Sequence, residues 1–233
     1  VLNASTVSER FFLEYCDARQ YKAEKLPIPK NAGRFPDYKV HTPAGPVIFE
    51  IKEFAPNDED RQFEEQMKTK GHAGFGRAIG KRVRKAIIDA APQLRQYKDT
   101  PFPEVLLLFD NTRGLSTIAD YLDPLDVSSG MFGEAVIKFW RHGSAKPIGA
   151  SDATHGGRRQ LTEKERLYIG ALGVMRRTSA GEIRIDFYHN PFSNKPVWPR
   201  YFLDPADRQY IKSDHPNKAA WGWDEFVGDR KST

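Results

Sequence analysis

Phe35-Pro36-Asp37-Tyr38-Lys39-Val40 and Val47-Ile48-Phe49-Glu50-Ile51-Lys52-Glu53-Phe54 are two β-prone runs either side of a short Pro/Gly segment. Side chains alternate along a strand, so Ile48, Glu50 and Lys52 share one face, and Phe49, Ile51 and Glu53 share the other. Glu50 and Lys52 then stand about 6–7 Å apart along the strand at a rise of ~3.3 Å per residue. A carboxylate and an ammonium fixed side by side on a strand suit a metal-and-water site. Pro43 cannot take positive φ, which excludes a two-residue primed turn centred on it. A three-residue loop is expected, with Pro43 and Ala44 in a type I turn and Gly45 left-handed. Folding back from it brings Asp37 or Tyr38 opposite Glu50. Val47, Ile48, Phe49, Ile51 and Phe54 are too apolar for an exposed edge strand, so the acid and the lysine must do chemistry or find partners.

Working outward, residues 5–24 are expected to form a first helix, capped by Ser5, Thr6 or Ser8 and ended by Pro27 and Pro29. It carries Glu9 and Glu14. Residues 59–69 have a polar helical pattern. Residues 77–97 are the strongest helix after the hairpin. Ile79, Val83, Ala86, Ile87, Ala90 and Leu94 form its apolar stripe, and Arg77, Lys81, Arg84 and Lys85 form a separate basic one. Val105–Phe109 is an apolar run expected as a buried strand. The glycines before Lys81 do not make a phosphate loop: their spacing is one short, and Arg82 stands where Ser or Thr would hold magnesium.

Pro36-Asp37, twelve residues and then Glu50-Ile51-Lys52 resemble the signature of the PD-(D/E)XK nuclease superfamily, which has the restriction-endonuclease-like fold. The resemblance covers roughly residues 5–110. It implies an α/β protein with an αβββαβ core, a mixed central sheet flanked by helices, and a C-terminal β-rich extension. One more strand is then required beside the hairpin, and none stands out before residue 100. The resemblance assigns Asp37, Glu50, Lys52 and Glu14 as catalytic, with Glu9 as the alternative helix acid. Asp37, Glu50, Glu14 and the Ile51 carbonyl would be ligands of Mg2+, with Mn2+ expected to substitute. Gln93 and Tyr97 are similar to a Gln-x-x-x-Tyr feature of some branches.

The 233 residues carry a net charge of +5 and a mean hydropathy of −0.63. Between residues 68 and 98 there are nine basic side chains against Asp89, a net of +8, so the rest of the chain is near −3. A local positive element on a balanced chain suits a polyanion surface. Phosphate contacts from Arg77, Lys81, Arg84 and Lys85 are expected, to DNA first and with RNA left open. No apolar run approaches the ~20 residues of a membrane span. No basic-then-apolar leader opens the chain, which makes a cytoplasmic location the expectation. Cys16 alone cannot form an internal disulfide. The six histidines show no metal-ligand spacing.

Residues 1–115 are expected to hold the nuclease core and residues 116–233 an extension that completes the same domain. In the extension, Ala135–Trp140 reads as a strand, 144–160 as a loop, and Tyr168–Met175 with Glu182–Tyr188 as a hairpin. The aromatics of 191–226 are expected to wrap and close a core, with base stacking as the alternative. The function expected is a metal-dependent endonuclease. Its rivals are a catalytically silent nucleic-acid-binding or scaffold protein of the same fold and a toxin nuclease domain cut from a longer chain. A homodimer and an immunity or complex partner are the protein partners these readings admit.

Overall fold

The computed structural model describes residues 6–28, 34–73, 78–112, 120–136, 139–140, 149–150, 154–213 and 222–226. Its first helix, α1 (Val7–Ala18), is capped by Thr6, whose side chain accepts from Glu9 N while Glu9 reaches back to Thr6 N. This reciprocal box fixes the helix start and its rotational phase. The helix is shorter than the expected 5–24. The chain turns at Gln20, where φ is 57°, and Tyr21 N closes onto Cys16 O at 2.9 Å. Lys22–Lys25 is then a strand, β1, antiparallel to β2 (Tyr38–Thr42). It is the strand missing from the sequence reading. Its Lys-Ala-Glu-Lys composition carries no alternation, and its charges suit the sheet edge it occupies.

β2 pairs with β3 (Gly45–Phe54), with Tyr38 opposite Phe49 and Thr42 opposite Gly45. Pro43 and Ala44 are the turn centre as expected, but Gly45, with φ 125°, is already paired in the strand, so the loop is one residue shorter. The same register carries Asp37 to the place opposite Glu50, where Asp37 N donates to Phe49 O at 3.0 Å. The choice between Asp37 and Tyr38 is thereby settled.

The chain continues through α2 (Asp58–Lys70), α3 (Lys81–Leu94), β4 (Glu104–Asp110) and α4 (Pro124–Phe132). Four two-residue strands follow: β5 (Ala135–Val136), β6 (Phe139–Trp140), β7 (Gly149–Ala150) and β8 (Thr154–His155). They interrupt the expected strand and loop, whose residues 137–138, 144–148 and 151–153 lie outside the described residues. The hairpin of β9 (Ile169–Arg177) and β10 (Ile183–His189) forms as expected. β11 (Arg208–Lys212) and β12 (Trp223–Glu225) complete a mixed eight-stranded sheet of order β1-β2-β3-β4-β9-β10-β11-β12. β3, β4 and β9 are mutually parallel at its centre.

Helices cover both faces. α1 lays Phe12 and Tyr15 against Tyr38, Phe49 and Leu107, while α3 and α4 lay Val83, Ile87 and Met131 against Ile48, Leu106 and Val174. α3 begins later than the pattern suggests, because Gly80 at φ 70° breaks the chain direction; Ile79 therefore stands outside the helix and is exposed. The crossing of α3 and α4 is close. A Cβ on Gly80 would lie 2.6 Å from Gly130 N, and one on Gly130 would lie 2.4 Å from Val83 Cγ1. Phe202 stacks on Phe187, and Trp223 packs edge-on to Tyr188, so these two tail aromatics serve the core. Trp221 lies outside the described residues.

Gly130→Ala is expected to lower stability by about 1–3 kcal/mol, the scale of overpacking. Gly157→Ala, with nothing within 4 Å of the added carbon, is expected to stay within about 0.5 kcal/mol. Urea unfolding of both variants checks this, and equal midpoints would contradict the tight crossing.

Candidate active site

The site forms where β2 begins, halfway along β3. Opposite partners in an antiparallel pair point to the same face, so Asp37 joins Glu50 and Lys52 on the side covered by α3. Glu50 is 1% exposed, and Lys52 Nζ lies 2.6 Å from its Oε1. Asp37 Oδ2 accepts from Ile51 N at 2.8 Å, so the Ile51 peptide bridges the two acids. Among the described residues, Glu50 Oε2 is buried with no hydrogen-bond donor.

Two facing carboxylates out of water resist ionising together. Burial first, and then the Asp37 charge, push Glu50 from its ordinary 4.5 up to about 8, against the pull of Lys52. Burial also raises Asp37, with the charge of Glu9 adding to it and the Ile51 N–H opposing it.

Gln93 completes the cluster. Lys52 Nζ donates to Gln93 Oε1 at 2.8 Å, and Gln93 Nε2 donates to Phe35 O at 3.2 Å. α3 runs through Pro92 to Leu94 and buries Gln93 to 8% exposure. Tyr97 does not reach the lysine; its ring meets Phe35 edge-on at 6.4 Å.

Glu14 is not part of this cluster. It is exposed, with Arg10 its ion-pair partner at 3.9 Å. Glu9 and Glu14 are five residues apart, about 140° around a helix of 3.6 residues per turn, and the Thr6 cap turns Glu9 inward. Glu9 is buried and accepts from Lys25 Nζ at 2.8 Å. Glu53, on the other face of β3, accepts from Ser8 N at 3.0 Å and from Asn111 Nδ2 at 2.7 Å, holding the start of α1 against the sheet.

The basic stripe of α3 divides. Lys81 and Lys85 are one turn apart and exposed, and both line a cleft of about 580 Å3 that begins at Lys52. Arg84 turns the other way with Val83 and Ile87. It is 9% exposed, donates to Ser129 O at 3.4 Å and lies 3.8 Å from Glu134. A phosphate-binding role for Arg84 is corrected by that burial against α4. Arg77 lies outside the described residues. Arg82, absent from the expected set, lines the cleft with its guanidinium 4.0 Å over the Tyr121 ring and paired with Asp60. Burial raises the Asp60 carboxyl, but hydrogen bonds from Tyr121, Asn57 N and Arg82 outweigh it and leave it below its ordinary value. The Asn57-x-x-Asp60 box at the start of α2 was the signal for Asp60; nothing local marked Tyr121.

Among the described residues, no group of three or more His, Cys, Asp or Glu side chains is arranged to hold a metal, and no helix is long and apolar enough to cross a membrane. Comparison with protein-family models, curated proteins and solved structures gives no significant match.

Both site acids bind protons more tightly folded than unfolded. Linkage then makes their contribution to metal-free stability full at low pH and takes it away as pH rises from about 4.5 to about 8. Asp37→Asn removes the facing charge while keeping an acceptor for Ile51 N, so its melting temperature is expected to fall less across that window. Thermal unfolding in EDTA from pH 5 to pH 8 reads this directly, and parallel curves for the two proteins would refute the carboxylate coupling.

Proposed function

We propose that the chain is a metal-dependent nuclease with a restriction-endonuclease-like core, hydrolysing phosphodiester bonds of DNA through a metal-activated water. The observation that carries this reading is the pair of facing acids, half-buried Asp37 and buried Glu50, with Lys52 beside them. The order α1, β1, β2, β3, α2, α3, β4, with three antiparallel strands and then a parallel one, supports the αβββαβ assignment with α2 as an added helix.

The donors fit a hard divalent cation. Asp37, Glu50 with its unpartnered Oε2, and the Ile51 carbonyl would hold Mg2+ or Mn2+ through oxygen. Two raised carboxyls are also what a cation would relieve. When bound, the cation supplies charge that lowers the pKa of a water and offsets the charge of the scissile phosphate.

The chain's own groups do the rest. Glu50 and Gln93 take two of the three Lys52 N–H bonds, which leaves the third to orient the attacking water or a phosphate oxygen. Gln93, tied to Phe35 O, restrains the long lysine side chain before substrate arrives. A lysine so placed stabilises negative charge that develops only in the transition state.

Asp37→Asn, Glu50→Gln and Lys52→Ala are each expected to lower cleavage by ~10²-fold or more, the scale for losing a transition-state charge partner. The assay is nicking of supercoiled plasmid and cutting of a labelled single-stranded oligonucleotide with Mg2+, Mn2+ or EDTA. Cutting that survives EDTA, or a Lys52→Ala protein at wild-type rate, would overturn the reading.

A further inference from the structure

We propose that the cleft running from Lys52 along α3 is the binding channel for one unpaired strand of nucleic acid, so that the substrate is single-stranded or frayed at the cut. The inference deepens the nuclease reading and rests on it.

Size comes first. A volume of about 580 Å3 falls in the ~300–1,000 Å3 range of pockets that enclose a drug-sized molecule. That is room for a short run of nucleotides and far short of a duplex. The wall chemistry agrees. The lining mixes apolar Phe54, Ala55 and Ala86 with cationic Lys81, Arg82 and Lys85. A duplex offers mainly phosphates and groove edges to a protein and hides the faces of its bases. An unpaired strand offers both phosphates and apolar base faces, and this mixed lining has partners for each.

Arg82 is the anchor. Asp60 and the Tyr121 ring hold its guanidinium, and its Nη1 reaches Ala55 O at 3.5 Å. Its side chain is 17% exposed, at the wall of the cleft. The rotamer entropy that phosphate binding normally costs is therefore already spent. Lys81 makes no ion pair among the described residues, and Lys85 pairs with Asp89 on the exposed side of the helix at 2.6 Å. Acids also line the cleft, but most are engaged: Glu53 with α1 and Asn111, Asp126 with Gly80 N at 2.6 Å, Asp89 with Lys85. Glu59, on α2, has no such partner among the described residues. Lys52 lines the near end, so a strand in the channel passes the catalytic lysine.

The test is fluorescence anisotropy with Lys52→Ala protein in Mg2+, using a labelled oligonucleotide and the same sequence as a blunt duplex. The single strand is expected to bind about tenfold tighter or better, since one stacked base is worth ~1–3 kcal/mol. Adding Lys81→Ala and Lys85→Ala should weaken single-strand binding and flatten the log–log salt slope by about 1.4, from ~0.7 per phosphate contact. Arg82→Lys tests the anchor, with circular dichroism to confirm folding, and the exposed lysine pair carries the test if that variant unfolds. Equal or tighter duplex binding, or an unchanged salt slope in the lysine variants, would overturn the channel. Wild type that binds the single strand as expected yet leaves it intact with magnesium would sink the nuclease reading and leave the channel standing. Cutting with duplex preferred would do the reverse.

Discussion

Two carboxylates, buried Glu50 and half-buried Asp37, face each other across an antiparallel strand pair, with a lysine two residues along the strand from Glu50. Left to themselves they destabilise the chain, because Glu50 is cut off from water and Asp37 is only partly reached by it. The surroundings can be understood as the structure that holds them there. The Tyr38–Phe49 register fixes the strands, the Ile51 N–H ties Asp37 to β3, and Gln93 restrains Lys52 from the opposite layer. α1 presses an aromatic cluster onto the other face of the same two strands, through Phe12 against Tyr38 and Phe49. Slipping the register by one residue would turn Glu50 and Lys52 to that aromatic face, so packing and site chemistry demand the same pairing.

Much of this was legible. The alternation from Ile48 to Lys52 fixed which residues share a face, and the Pro/Gly turn placed Asp37 within one residue of its partner. The apolar stripe of α3 and the β9–β10 hairpin were equally plain, since strong periodicity survives without tertiary context. The illegible parts share a cause. β1 is a strand only because β2 leaves an open edge beside it, and Lys-Ala-Glu-Lys says nothing of that. Which of Glu9 and Glu14 turns inward depends on helix phase, which the Thr6 cap sets. Arg84 looked like Lys81 and Lys85 until α4 packed on its side of the helix. Gln93 followed a proline, yet α3 continues past it and delivers the side chain to Lys52.

Buried polar ties join the two ends of the sequence. Tyr15 donates to Asp207 at 2.7 Å, and Ile185 N does so at 2.8 Å, with Arg19 beside the same carboxylate. Burial still lifts Asp207 to about 6. Lys195 meets the fully buried Glu104 and donates to Tyr97 O at 2.8 Å. Such contacts add little net stability, but breaking one leaves an uncompensated buried group. They therefore discriminate strongly against arrangements in which the C-terminal strands dock elsewhere.

The place of β9 has a consequence for how the protein is made. Its neighbour β4 ends at Asp110, and β9 begins at Ile169, ~60 residues later. At ~5–20 residues per second on the ribosome, β4 waits several seconds for its partner. During that time the most apolar strand in the chain, Val105 to Phe109, presents a bare hydrogen-bonding edge. Such an edge invites pairing with other chains. The nascent chain is thus exposed to aggregation between the synthesis of β4 and that of β9, and a holding chaperone would matter most in that interval.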